Sequence, residues 1–427
     1  MPNASPPNLR DAHLHLDEHG IELSCVNLAS CISKSDSLAQ IAIAAESKAH
    51  DDWVRAVCGR VEAWNGDPWP TADELHAAAG GRPCVICSFD HHCVVASTRA
   101  LEQADISRDT PDPEGGIIGR TENGDPTGLL LEAACKPVYA AIPQPDDAQY
   151  LAAVRTAVND LASRGFVEVH DMLGPQRLPG ALLVLEKLGE LPLRVVMYVV
   201  RERFDDMIEQ SQSWRSDRIS VGGLKIFTDG TLNSTTAHML TEYTHPMPDH
   251  PRGTPLMTRQ QIDESIRHAD SLGYPIAAHA IGDAAVRAVL DAIEAVAPRT
   301  TGQRIEHAQF VDTLDIPRFA QLGVIASLQP CHLLTDIEAI NRLMPHRAVR
   351  AFPLRNLVDA ARKSGRDPAE LIYLGSDTPV VEPSPQDNLQ AAVHRTRAGV
   401  KCPVVAPEQA ITEDEAWAMM GKRGIGD

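Results

Sequence analysis

Short runs of β-branched and apolar residues recur along the chain, separated by stretches whose apolar positions follow a helical period. Ten runs stand out: "LRDAHLHL" (9–16), "WVRAVCGRVEAW" (53–64), "CVICSF" (84–89), "FVEVHDM" (166–172), "LRVVMYVV" (193–200), "LKIFTDG" (224–230), "IAAHA" (276–280), "RIEHA" (304–308), "VIASLQP" (324–330) and "LIYLGSD" (371–377). Between two of them, Val286, Val289, Leu290, Ile293 and Val296 share one helical face and Pro298 ends the pattern, as in a helix packed on a sheet. From residue 166 onward seven strands are joined by helix-length connections, and 9–16 makes eight. Strands joined through helices run parallel, so the expected fold is α/β, a (β/α)8 TIM barrel, although an open doubly wound sheet gives a similar string.

The two remaining runs lie between the first and second barrel strands. They predict an inserted α+β subdomain over 17–160, with the barrel formed by 9–16 and 161–427. The insertion's "TPDPEGGIIGRTENGDPTG" (110–128) is rich in Pro, Gly and an Asn-Gly pair, marking loops and a hairpin. A second irregular stretch, 245–256, is a candidate wall of the substrate pocket.

Composition narrows the function. The chain has 427 residues, 39 basic against 58 acidic side chains, and a net charge of −19, which repels phosphate backbones and anionic membrane surfaces. No apolar stretch approaches the ~18 residues of a membrane span, and "MPNASPPNLR" carries no secretory signal pattern. A cytoplasmic protein acting on a small molecule, with neither nucleic acid nor membrane as partner, is expected. The nine cysteines are an odd number scattered through a long chain and read as thiols, including Cys84 and Cys87, whose i, i+3 spacing puts them on opposite faces of a strand.

The polar residues on the barrel strands carry the candidate chemistry. His13 and His15 share a face at the end of the first strand, Lys225 lies in the fourth, and His279, His307 and Asp377 end the fifth, sixth and eighth. A single histidine in an apolar strand is ordinarily a satisfied core residue. Four histidines, a lysine and an aspartate on five strands opening to one mouth suit a site of neutral imidazoles and a carboxylate around one or two divalent metal ions.

"DAHLHL", "GGLKIFTDGTLNSTTA", "AAHAIGDAAVRAVLDAIE", "RIEHAQFV", "ASLQPCH" and "LGSDTPVVEPSPQDNL" resemble, in order, the amidohydrolase superfamily, and most closely the branch called amidohydrolase family 3, which includes N-substituted formamide deformylases. The resemblance runs from about residue 9 to 417. It implies that His13 and His15 bind the more buried metal, His279 and His307 the second, and that Asp377 touches a metal and shuttles protons. It places Lys225 where many members carry a carboxylated lysine bridging two ions, with zinc the expected metal. The alternative for Lys225 is a plain amine paired with a carboxylate such as Asp229; an ammonium has no lone pair to ligate with, so one ion is then expected. Weaker candidates for the substrate pocket are Trp64, His92, His170, Asp229 and His332, while strand alternation from His307 turns Glu306 into the shell around the barrel.

The implied activity is hydrolysis of a non-peptide carbon–nitrogen bond in an amide, formamide or cyclic amide by metal-activated hydroxide. A deaminase or an ester or lactone hydrolase would use the same site, and a catalytically silent barrel with a binding or regulatory role is the reading from another class. Only eight residues precede Leu9 and the chain stops at "GKRGIGD", so the flanking β-sandwich of the branch is expected to be largely missing. Barrel surface left uncovered would bring marginal stability or a homo-oligomer contact.

Overall fold

Every residue of β1 (Leu9–Leu14) is buried, as a strand covered on both faces of a parallel sheet must be. The computed structural model describes residues 8–61, 64–88, 93–113, 115–399 and 402–421. After β1 the chain enters a separate unit, Glu18–Ala153, containing β2 (Val26–Asn27), β3 (Val54–Gly59), β4 (Cys84–Ser88), β5 (Cys93–Ala96), β6 (Gly116–Arg120) and β7 (Pro126–Glu132). From Val154 it returns to the first unit with β8 (Phe166–Asp171), β9 (Arg194–Val200), β10 (Ile219–Phe227), β11 (Ile276–Ala280), β12 (Arg304–His307), β13 (Ile325–Leu328) and β14 (Ile372–Leu374).

The first unit is the expected barrel. Its strand order is β1-β8-β9-β10-β11-β12-β13-β14, with neighbours paired in parallel. The ends meet through a parallel bridge from Leu14 to Thr378, where His15 N donates to Thr378 O at 2.9 Å and Asp377 N donates to His13 O at 2.7 Å. Gly375 makes this closure fit, because a Cβ there would stand 2.5 Å from His13 N. The helix Asp283–Val296 buries Val286, Val289, Leu290 and Ile293, and Ala297 ends it in a left-handed conformation. Near the C-terminus Thr412 and Glu415 form a capping box opening Glu413–Met420.

The second unit holds a six-stranded sheet, order β2-β3-β4-β5-β7-β6, parallel at its first two joints and antiparallel thereafter. Two apolar clusters cover it, one including Val85, Val94, Ile118 and Leu130, the other Leu28, Ile41, Val54, Ile86 and Val95. Residues 110–128 contribute to the hairpin β6–β7, closed by Thr121 N to Asp125 O at 2.9 Å. Two apolar runs had marked this unit, where six strands are found; β2 and β5 are only two and four residues long, and glycines interrupt β6 and β7. All nine cysteines are thiols.

Candidate metal centre

Alternation along β12 (Arg-Ile-Glu-His) puts Arg304 and Glu306 on one face, and their partners show which. Arg304 donates to Ala12 O on β1 and to Tyr198 on β9, and Glu306 Oε2 lies 2.8 Å from His13 Nδ1, so both point into the barrel. This corrects the expectation that Glu306 lies in the outer shell. His307, one residue on, would point outward from a regular strand. It reaches the mouth because its backbone turns left-handed, φ 70°, followed by Ala308 at φ 39°. Asp377 leaves β14 in the same way, φ 64°. Non-glycine residues in this region are uncommon and tend to gather at functional sites.

One donor atom each from His13, His307 and Asp377 falls within 4.8 Å of the others, and all three residues are buried. His13 Nε2 is 3.3 Å and His15 Nε2 3.0 Å from Asp377 Oδ1. The His279 ring stands 4.5 Å from that of His307, and its Nε2 is 3.1 Å from Gly230 O. Five of the six residues expected around the metal therefore adjoin one another.

The sixth, Lys225, is 1% exposed. Burial pushes its amine down to about 8, although the negative charges of Glu306 and Asp377 work the other way. Its Nζ lies 5.1 Å from the Phe227 ring centroid, and it forms no ion pair with Asp229. Asp229 instead accepts the backbone N–H groups of His238, Ile281 and Gly282, at 2.9, 3.0 and 2.8 Å, and burial raises its carboxyl to about 7. The alternative pairing of Lys225 with Asp229 is thus not formed.

The electrostatics suit ligation. Burial lowers His13 to about 4 and His279 to about 3, and places His307 well below its ordinary value, so these imidazoles are neutral and keep a lone pair. Burial opposes ionisation of Asp377, yet His13, His15 and His307 hold its carboxyl well below the usual range. Glu306 is also ionised: burial works against its charge, but Arg304 more than offsets it. His13 lies between two carboxylates, Nδ1 facing Glu306 Oε2 at 2.8 Å and Nε2 facing Asp377 Oδ1 at 3.3 Å; with its hydrogen on Nδ1 toward Glu306, Nε2 and Asp377 would both offer lone pairs to a cation between them. The donor set fits a divalent ion.

The other candidates are distributed differently. His332, in the turn after β13, lies beside the centre, its Nε2 3.2 Å from Ser376 O and 3.7 Å from Asp377 Oδ2. His170 is in the barrel interior between Arg304 and Glu168. Trp64 belongs to the second unit, fully buried, its ring 5.2 Å from that of Trp69. His92 lies outside the described residues.

Arg304 is the residue that the strand pattern did not single out. It is fully buried and donates from Nε to Glu306 Oε1 (2.8 Å), from one terminal nitrogen to His170 Nδ1 (2.7 Å) and Tyr198 Oη (3.1 Å), and from the other to Ala12 O (2.7 Å), Glu306 Oε2 (3.1 Å) and Ser327 Oγ (2.9 Å). The signal was available: an arginine and a glutamate two apart in a four-residue strand share a face, and neither is easily buried alone.

Comparison with known proteins agrees with this geometry. A family model described as the amidohydrolase family matches residues 7–424. A Bacillus subtilis protein named as an amidohydrolase, YtcJ, is 32% identical over 406 residues, covering 91% of this chain and 73% of that protein. The N-substituted formamide deformylase of Arthrobacter pascens is 27% identical over 387 residues, covering 86% and 68%. The crystal structure of an uncharacterized metal-dependent hydrolase from Pyrococcus horikoshii OT3 superposes with a TM-score of 0.75 at 26% identity, over 96% of this chain and 78% of that one.

Proposed function

This chain belongs to the amidohydrolase family and is a hydrolase that works with a divalent metal ion, and from that premise we propose that it cleaves a non-peptide carbon–nitrogen bond in a small amide, formamide or cyclic amide. The observation that carries the reading is the approach of His13, His307 and Asp377 to one point inside the barrel. These three would hold the ion, assisted by His15 and His279, and zinc suits their nitrogen and oxygen donors. A bound ion supplies Lewis acidity, drawing the pKa of a water down toward about 7.

The protein's own groups handle the proton. Asp377, ionised and fixed by His15, accepts a hydrogen bond from the attacking water. It takes the water's proton on a carboxylate oxygen as the carbon–oxygen bond forms, then returns it to the leaving nitrogen as the carbon–nitrogen bond breaks. Lys225 is suited to carboxylation, since a neutral amine attacks carbon dioxide and burial lowers its pKa to about 8; the carbamate would bridge a second ion. The similarity to an N-substituted formamide deformylase supports an amide substrate.

The test is product analysis with N-substituted formamides, N-acyl amines and cyclic amides, using chelator-stripped and zinc-reloaded protein. Equal amounts of acid and amine, formed only after reloading, are expected; an amino acid is the product where the amide is cyclic. Cleavage of esters alone, ammonia with a new ring carbonyl, or no turnover of any amide would overturn the assignment.

A further inference from the structure

Beneath the centre the barrel does not fill with aliphatic side chains, as barrel interiors ordinarily do. The line Glu168, His170, Arg304, Glu306, His13 crosses from β8 through β12 to β1, each member hydrogen bonded to the next. Arg304 can only donate, so His170 Nδ1 accepts from it and the hydrogen of His170 lies on Nε2, toward Glu168 Oε1 at 3.3 Å. At the other side the guanidinium meets Glu306 through two bonds, Nε at 2.8 Å and a terminal nitrogen at 3.1 Å, the bidentate form that fixes both distance and plane. The same terminal nitrogen holds Ala12 O, the carbonyl immediately before His13, at 2.7 Å.

We infer that Arg304 is a positioning residue for the metal centre: by holding Glu306 and the Ala12 carbonyl together, it fixes the orientation of His13, and with it the affinity for the ion. His13 is gripped at both ends of its side chain's range of motion, at the peptide that precedes it and at ring Nδ1. Its Nδ1 is held on Glu306 and its Nε2 is thereby aimed at Asp377 Oδ1, 3.3 Å away. Lysine could not replace this fork, since an ammonium is a point charge on a flexible stem. The inference rests on the reading that His13 is a metal ligand.

Three measurements test it, the first on the unmodified protein. Nitrogen NMR of histidine-labelled, zinc-loaded protein, with the His13 signal assigned by its loss in His13→Asn, should show Nδ1 protonated and Nε2 on the ion; the opposite arrangement overturns the inference. Zinc affinity is then measured by competition with a chromophoric chelator. Arg304→Lys keeps a positive charge beside Glu306 but loses the fork, and Glu306→Asp keeps the ion pair but draws the carboxylate back from His13. Each should weaken zinc by about 10- to 100-fold, with circular dichroism and zinc-free melting close to wild type. Wild-type affinity in both folded variants overturns the positioning role. Failure of the wild-type protein to bind zinc would instead sink the metal reading.

Discussion

In the six-stranded sheet of the second unit, side chains such as Val54, Ile86, Val94, Val95 and Leu130 bury into apolar clusters on either face. In the eight-stranded barrel, β8, β10 and β12 place His170, Lys225, Arg304 and Glu306 in buried positions, where desolvation penalises every charge. Both sheets are close-packed and rich in β-branched residues, so they differ in what burial is for. Burying apolar area stabilises the second unit by roughly 25 cal/mol for each Å² removed from water. A buried ion pair seldom stabilises relative to apolar residues of the same shape. The barrel interior accommodates its polar groups because Arg304 bonds to Glu306, His170, Tyr198, Ser327 and the Ala12 carbonyl, and Glu306 to His13; on the inference above, that network serves the centre.

The contrast can be broken from either side. The largest effect is expected at the centre: Asp377→Asn removes the proton carrier and should lower kcat by about 10³-fold or more, measured on whichever amide turns over, while the second unit's stability is unmoved. Conversely, Leu130→Ala, fully buried in the apolar sheet, should cost about 2–5 kcal/mol in denaturant unfolding and leave zinc affinity at the wild-type value. A change in zinc affinity there would mean that the two sheets do not divide their tasks in this way.

Gly375→Ala sharpens the comparison at the seam where the barrel closes. Its Cβ would press on His13 N and on Asp11 Oδ1, and a strained fit of this kind costs about 1–3 kcal/mol. Because the push falls on His13, zinc affinity and unfolding stability should drop together.

The smallest effect is a pH dependence. Burial lowers His170 to about 4 from an ordinary 6.5. Between those values the unfolded chain binds the proton that the folded one refuses, so stability falls as pH drops through that window. In His170→Asn, whose side-chain oxygen can still accept from Arg304, the decline in metal-free melting temperature from pH 6.5 to 4 should be shallower than in wild type. An unchanged slope would show that His170 is not the group responsible.

The alternation of strand and helix was enough to read the barrel, because parallel strands buried on both faces leave dense apolar runs such as "LRVVMYVV". It was not enough for the second unit, where two of the six strands have four residues or fewer and others are broken by glycine. The residues at the centre were legible as a set, since imidazoles and a carboxylate at the ends of barrel strands have few structural uses. Their orientation was not. Counting outward from His307 turns Glu306 away, and only the left-handed backbone at His307 and Ala308 reconciles both facing inward. Arg304 escaped notice because its value lies in partners from four other strands, Ala12, His170, Tyr198 and Ser327, which no local pattern brings together.

Anomalous diffraction at the zinc edge, from crystals grown with zinc, tests most directly whether these side chains form a metal centre. A peak bonded to His13 Nε2, His307 and Asp377 is predicted. A protein that takes up zinc elsewhere, or none, with these three side chains bonded only to one another, would contradict it.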